Sequence, residues 1–250
     1  MRIKLTCGLL LLFLLCNFAC AQDYVKEGLV SYWSFDEGRG ETTEDSAGKN
    51  HGKINGAAWV EGKKGQALYF DGTNDFVDCG NDPSLNITGD VTIEAWVKLS
   101  RDLKVEKSEE AAIMTKGPHN DAASYGLEVR CRQCLFTEGF LAGRFHQQIG
   151  MCKLSKNKWH HVALTRDSSG TKFYLNGYFD GESGITSGRV SSITAQIGAR
   201  NAHYCFPGAI DEVRIYNRAL SAEEIGKNTG EEDMDLKGIR EKLEKLLAAN

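Results

Sequence analysis

The sequence predicts an all-β chain folded as two packed antiparallel sheets, on three observations. From Gly28 to Tyr216, short apolar-rich runs are separated by clusters of Gly, Asn, Asp and Ser. Glycine is abundant, at 27 residues, and proline scarce, at 3, which suits turns between paired strands. Several runs also alternate. Val91, Ile93, Ala95 and Val97 share one face while Thr92, Glu94 and Trp96 share the other, and Phe173 and Leu175 oppose Lys172 and Tyr174. Alternation gives each sheet one face in a core, and so many strands require two sheets.

Taken in order, residues 1–21 read as a secretory signal peptide. Arg2 and Lys4 precede an apolar run too short to span a membrane, and Ala19-Cys20-Ala21 offers a cleavage site. A lipoprotein anchor at Cys20 is the competing reading, which Asn17-Phe18-Ala19 fits poorly. The clearest strands are Leu29–Phe35, Ala67–Phe70, Phe76–Cys79, Val91–Leu99, Tyr125–Arg130, Trp159–Arg166, Lys172–Asn176 and Ile210–Tyr216. Residues 101–121 carry a charged run and read as a solvated insertion between strands. Ser221 followed by Glu224 marks a helix start. Residues 227–235 read as an acidic linker. In 236–250, Leu236, Ile239, Leu243, Leu246 and Leu247 recur at spacings of three and four, the pattern of a short amphipathic helix. That helix is expected to dock on the sandwich or to serve as a free or self-associating tail.

The 30 basic and 34 acidic residues give a net charge of −4 with no basic tract, which argues against a nucleic-acid partner. After the leader no apolar stretch approaches the roughly 20 residues of a membrane helix, so no transmembrane segment is expected. The reading is a secreted protein, extracellular or periplasmic, of unknown oligomeric state. Three of the eight cysteines leave with the leader, and Cys79, Cys131, Cys134, Cys152 and Cys205 remain. In an oxidising compartment, two disulfides among Cys131, Cys134, Cys152 and Cys205, with Cys79 as a buried free thiol, is the simplest accounting. Their pairing stays open. Neither a redox nor a zinc role suits Cys131-x-x-Cys134, because it sits between two strand runs and further ligands are lacking.

The chain also resembles the laminin-G-like, concanavalin A-like jelly-roll family over residues 28–226. The carriers are Leu29-Val30-Ser31-Tyr32-Trp33-Ser34-Phe35-Asp36-Glu37, Asp45-Ser46-Ala47-Gly48-Lys49-Asn50-His51-Gly52 and Leu68-Tyr69-Phe70-Asp71-Gly72. They continue through Val91-Thr92-Ile93-Glu94-Ala95-Trp96-Val97, Trp159-His160-His161-Val162-Ala163 and Phe173-Tyr174-Leu175-Asn176-Gly177 to Gly208–Ser221. The resemblance implies jelly-roll connectivity and sheets of six or seven strands.

Because the family also includes glycoside hydrolases, a catalytic carboxylate pair is the first thing to seek. No Glu-x-Asp-x-x-Glu triplet lies on a strand, Glu94 is alone on its strand, and the histidines form no His-x-x-x-His pair. A non-enzyme is expected, with a glycoside hydrolase or a structural self-associating surface protein as alternatives. His160-His161 cannot easily share an ion from opposite strand faces, so one is expected beside Trp159 and the other outward.

Calcium is expected as a cofactor at Asp36, Asp45, Gly48, Asn50 and Asp211. The Asp45–Asn50 loop is rich in oxygens. Asp211 falls in register with Val213 and Ile215, the core-facing set, where a carboxylate needs a cation or several donors. Capping of backbone amides is the alternative for Asp211. Related jelly rolls of the pentraxin branch hold ligands through paired calcium ions on rim loops. Of the matching positions here, only Asn120 and Asp121 supply suitable oxygens, and the short loop Arg200–Tyr204 carries no acidic residue, so a paired-calcium site of that kind is not expected. The rim still combines Asn120, Asp121, Tyr125, Arg130, Arg200, Asn201, His203 and Tyr204, a mixture suited to stacking on and hydrogen bonding to a sugar. The expected partner is an extracellular carbohydrate or protein.

Overall fold

The computed structural model describes residues 24–104, 107–118, 124–130, 132–141 and 144–230. Residues 1–21, read above as a signal peptide and including Cys20, lie outside the described residues, as do Asn120, Asp121, Cys131, the segment 236–250 and most of residues 227–235. The chain forms β1 (Leu29–Trp33), β2 (Thr42–Thr43), β3 (Gly52–Asn55), β4 (Ala58–Glu61), β5 (Gln66–Asp71) and β6 (Phe76–Asp78). Next come β7 (Val91–Leu99), β8 (Glu110–Lys116), β9 (Tyr125–Arg130), β10 (Cys134–Leu141) and β11 (Arg144–Ile149). The series ends with β12 (His160–Asp167), β13 (Gly170–Leu175), β14 (Tyr178–Ser183), β15 (Ala195–Ile197), β16 (Pro207–Tyr216) and helix α1 (Ala222–Asn228).

Two antiparallel sheets pack face to face. The first runs β14-β13-β12-β7-β16-β5-β4, with β1 also on β16, and the second runs β11-β10-β9-β8-β15-β6-β3-β2. Their facing sides bury one core that includes Trp33, Leu68, Phe70, Val77, Ile93, Val97, Leu127, Val129, Leu164, Phe173, Ile197 and Ile215. All eight strands read from the sequence are present, and the alternation on β7 holds, with Val91, Ile93, Ala95 and Val97 inward. The solvated reading of residues 101–121 needs correction. Glu110–Lys116 is the wholly buried strand β8, central in the second sheet. Glu110 and Lys116 flank a five-residue apolar-rich run too short to alternate visibly, so the charged neighbourhood hid it.

The register of β16 also departs from simple alternation. Asp211 lies opposite Trp96, yet Arg214 lies opposite Glu94, so two residues of β16 span one of β7. Glu212 occupies this bulge with φ 54°. The extra residue moves Asp211 onto the outer face with Trp96 while Val213 and Ile215 stay in the core, which corrects the expected core-facing set. At the same point β16 exchanges its edge partner, pairing β5 through Pro207–Ile210 and β1 through Val213–Tyr216.

The outer face of the first sheet carries a buried polar layer. Arg214 pairs with Glu94 at 3.3 Å and with Glu212, and its guanidinium lies over the rings of Tyr32 and Tyr24 at 4.3 and 4.7 Å. His161 meets Glu94 at 3.5 Å and packs edge-on against Trp96, so the pairing expected with Trp159 is replaced by one beneath the surface. Asn228 closes the layer from α1. It donates to Glu94 at 2.8 Å and accepts from the Val25 amide at 2.7 Å. Burial works to raise the Glu94 carboxyl, but His161, Arg214 and Asn228 outweigh it and hold the group below its ordinary value. The capping box read at Ser221 and Glu224 is present and starts α1, while Leu220 and Ile225 pack on Tyr174 and Tyr216. Replacing Arg214 by Met would leave Glu94 and Glu212 buried without their cation. The expected cost is about 3–5 kcal/mol, read as a drop in the urea midpoint with an unchanged slope.

Candidate functional site

Register places a row of side chains across the outer face of the second sheet. Thr42, Lys53, Asp78, Gln196, Thr115 and Gly126 lie directly opposite one another from β2 to β9. A second row joins Ala112, Glu128 and Phe136, and a third joins Glu110, Arg130 and Cys134. Over the middle of this face folds a tight hairpin, in which Arg200 and His203 pair across Asn201 and Ala202. Both turn residues have positive φ, 49° and 55°, as a two-residue turn between right-twisted strands requires. The hairpin is seated by the Ala112 amide donating to the Tyr204 carbonyl at 2.7 Å and by the Thr115 hydroxyl donating to Ala199 at 2.9 Å. The Ala202 amide donates to Gln196 Oε1 at 3.0 Å.

An ion pair locks it. Arg200, fully buried, bonds Glu128 on β9 and donates to the Pro118 carbonyl at 3.2 Å. The guanidinium lies flat on β9 because residue 126 is glycine; a Cβ there would sit 2.2 Å from Arg200 Nη2. Nearby, Arg130 is held by Glu110 at 3.1 Å and Gln147 at 3.3 Å, with its guanidinium 4.9 Å over the Phe136 ring. Glu110, which binds Arg130, and Ala112, whose amide binds the Tyr204 carbonyl, are two residues apart on β8, so the Arg130 cluster and the hairpin flank the same stretch of that strand. What this neighbourhood offers outward is Asn201, His203 and Tyr204, all exposed, together with Gln147 and the partly exposed Arg130.

The predicted rim thus divides. Asn201, His203 and Tyr204 lie together on the hairpin, and Arg130 lies on β9, across β8 from it. Tyr125 does not, because it alternates with Leu127 and Val129 into the core, where burial pushes its hydroxyl up. Arg200 is the hairpin's anchor and not an exposed contact. Sequence reasoning missed Glu128, Phe136 and Gln147. The strict alternation of Gly126, Glu128 and Arg130 against Tyr125, Leu127 and Val129 was the available signal for the first.

The calcium candidates fall into two groups. Asp45 accepts four amides, those of Tyr32, Ala47, Gly48 and Asn50, at 2.9–3.1 Å, so the Asp45–Asn50 loop closes on itself and does not fit a cation. Asp36 and Asp211 instead share the turn between β4 and β5. Asp211 Oδ2 accepts from Lys63 and Lys64 at 2.8 and 3.0 Å, and Asp36 accepts from Gln66 at 3.1 Å. Asp211 Oδ1 is buried and bonds nothing, and burial, with Glu212 beside it, pushes the carboxyl up to about 7. That orphaned oxygen fits a cation. No three acidic, His or Cys side chains gather among the described residues, so carbonyl oxygens of the turn would have to complete any shell.

No disulfide joins Cys134, Cys152 and Cys205, which departs from the expected bridges among the described cysteines. Cys205 is buried, its thiol pushed up to about 11 by burial and by Asp71 and Asp75, while Cys152 is exposed with its thiol bonded to Asp180. Cys79 is a buried thiol.

A family model described as the concanavalin A-like lectin/glucanases superfamily matches residues 71–226. No curated protein matches the chain. Among solved structures, domain 4 of AbnA, a GH43 extracellular arabinanase from Geobacillus stearothermophilus in complex with arabinotriose, is similar with a TM-score of 0.63 and 19% identity. That match covers 80% of this chain and 98% of the other. The binding domain of Paraclostridial Mosquitocidal Protein 1 gives 0.65 and 17%, covering 82% of this chain and 52% of that one. Trypanosoma rangeli sialidase gives 0.60 and 20%, covering 81% of this chain and 32% of the enzyme. The likeness at these identities is one of fold.

Gly126→Ala is expected to displace Arg200 and loosen the hairpin. The cost should be about 1–3 kcal/mol, with faster hydrogen exchange at the Ala112 and Arg200 amides as the specific sign.

Proposed function

Because this chain belongs to the concanavalin A-like lectin/glucanases superfamily, we propose that it is a non-catalytic recognition module that binds an extracellular glycan at the hairpin on its second sheet. The observation that carries the proposal is the juxtaposition of exposed Tyr204, His203 and Asn201 with Arg130 and Gln147 on a hairpin locked from beneath. A tyrosine ring gives the apolar face of a pyranose or furanose a surface to stack on. Imidazole, amide and guanidinium groups match its hydroxyls, and a preformed arrangement limits the ordering cost of binding. The two carboxylates beside the hairpin and Arg130 support a non-catalytic role. Glu110 and Glu128 are buried and each is held by an arginine, whereas a retaining glycosidase needs two acids free to reach the sugar. The printed ligand of the arabinanase domain, arabinotriose, is a natural first probe.

Tyr204→Ala and His203→Ala each remove a side chain that is exposed in the free protein. On a glycan array followed by titration of the best ligand, each is expected to weaken binding about tenfold, or 1.4 kcal/mol, with an unchanged melting temperature. Binding that survives both changes would remove the hairpin from this reading.

Calcium belongs to the same proposal as a stabiliser of the β4–β5 turn, held by Asp211 with Asp36 and turn carbonyls. Folding raises the Asp211 carboxyl from 3.8 to about 7, so its contribution is fully present below about pH 4 and is lost as pH rises through 7. A calcium ion would offset that loss where the carboxylate is ionised. Added Ca²⁺ is therefore expected to raise the melting temperature more at pH 8 than at pH 5, and Asp211→Asn to abolish the difference.

A further inference from the structure

Beyond the Glu94 layer, the outer face of the first sheet carries a second polar row. Register sets Thr92, Thr165, Lys172 and Glu182 directly opposite one another on β7, β12, β13 and β14. Thr92, Thr165 and Lys172 point outward, because the residues that alternate with them, Ile93, Leu164 and Phe173, are in the core. Thr92 is fully engaged. Its hydroxyl donates to the Arg218 carbonyl and accepts from the Leu220 amide, both at 2.8 Å, which draws the segment before α1 down onto the sheet.

Beside that segment lies a cavity of about 410 Å³. Thr165, Asp167, Lys172 and Tyr174 line it from the sheet, and Leu220 and Ser221 from the covering segment. A second hollow, of about 450 Å³, shares Gly170 and Lys172 with the first and reaches Glu182. Together they form a groove at the β12–β13 turn, in the size range of small-ligand sites. Its charges are not spent on one another. Lys172 has Glu182 directly across on β14 and Asp167 diagonally across on β12, yet it makes no ion pair or hydrogen bond among the described residues. The Glu182 carboxylate and the Thr165 hydroxyl are unbonded in the same sense. Asp167 spends only Oδ1, on the Ser169 amide at 2.7 Å and on the Ser169 hydroxyl. Glu224 is by contrast committed to Arg218 and to the capping box with Ser221, so the start of α1 supplies a wall and no charge.

An ammonium between two carboxylates, with a hydroxyl beside it, suits a row of hydroxyl groups better than an ion. A carboxylate accepts from one hydroxyl of a vicinal pair while the ammonium donates to the other. Tyr174 and Leu220 add apolar surface for the C–H groups between them. We propose that this groove is a second saccharide site, in which Lys172 and Asp167 hold neighbouring hydroxyls of a neutral oligosaccharide. It rests on the reading of the chain as a glycan binder, but not on the Arg200–His203 hairpin, which lies on the other sheet.

The test is an NMR titration of the isotope-labelled full-length chain with arabinotriose, cellotriose and mannotriose. The Gly170 and Ala222 amides report the groove, and the Ala202 and His203 amides report the hairpin. At least one sugar is expected to shift the groove amides, in the wild type and in Tyr204→Ala alike. Lys172→Ala and Asp167→Asn are each expected to weaken that binding about tenfold, the loss of one charge-assisted hydrogen bond, with an unchanged melting temperature. Asp167→Asn keeps an acceptor for the Ser169 amide, so the turn stays formed. Groove amides that no sugar moves, or groove binding that neither substitution weakens, would overturn the proposal. A groove response to free glycine and to none of the sugars would overturn it as well, by showing a paired ammonium and carboxylate as the occupant. Shifts confined to the groove amides would support it and remove the hairpin from the glycan-binding reading.

Discussion

The bulge at Glu212 is the constraint on which both the core and the outer layer of the first sheet depend. β16 is the strand that touches β7, β5 and β1, and one extra residue in its middle lets it serve all three. Before the bulge it pairs with β5 and sends Asp211 to the β4–β5 turn; after it, it pairs with β1 and sends Arg214 between Glu94 and Glu212. Pairing Glu212 in regular alternation, without the bulge, would reverse the faces of everything that follows, placing Arg214 in an apolar core and Val213 and Ile215 against charges.

Each outer face of this sandwich is closed by a different device. On the first sheet, a charge network is sealed by α1 and the segment around Val25, with Asn228 bonded to both Glu94 and that segment. Arg214, Glu94, Glu212, Tyr32 and Asn228 are turned on one another there, while His161 Nδ1, Trp96 Nε1 and Arg214 Nε are buried without a hydrogen-bond partner. On the second sheet the cover is a two-residue hairpin pinned by one buried ion pair over a glycine. That cover holds its polar anchor underneath and presents a tyrosine, a histidine and an asparagine outward, so rigidity and chemical availability occur in the same few residues.

Legibility in the sequence followed the strength of periodicity. β7, β12 and β13 alternate over enough residues to be read directly, and the capping box of α1 is a local signal with a local cause. β8 was hidden because its apolar run lies between Glu110 and Lys116, whose charges are satisfied by Arg130 and by Asn81 and Ile193 far away in the chain. The site was half legible. Arg130, Asn201, His203 and Tyr204 were recognisable as chemistry-bearing residues, but the inward turn of Tyr125 and the burial of Arg200 depend on partners brought from other strands.

The sequence by itself determined the all-β class, the pairing of two sheets, most strand positions and the start of α1, because each follows from the period and capping preferences of neighbouring residues. Only the tertiary structure decided which face Asp211 occupies, that Asp45 spends its oxygens on four amides, and that Arg200 anchors while Tyr204 is presented. Those outcomes turn on a single-residue shift of register and on contacts between residues up to 148 positions apart, such as Lys63 with Asp211, and neither is encoded in any local pattern.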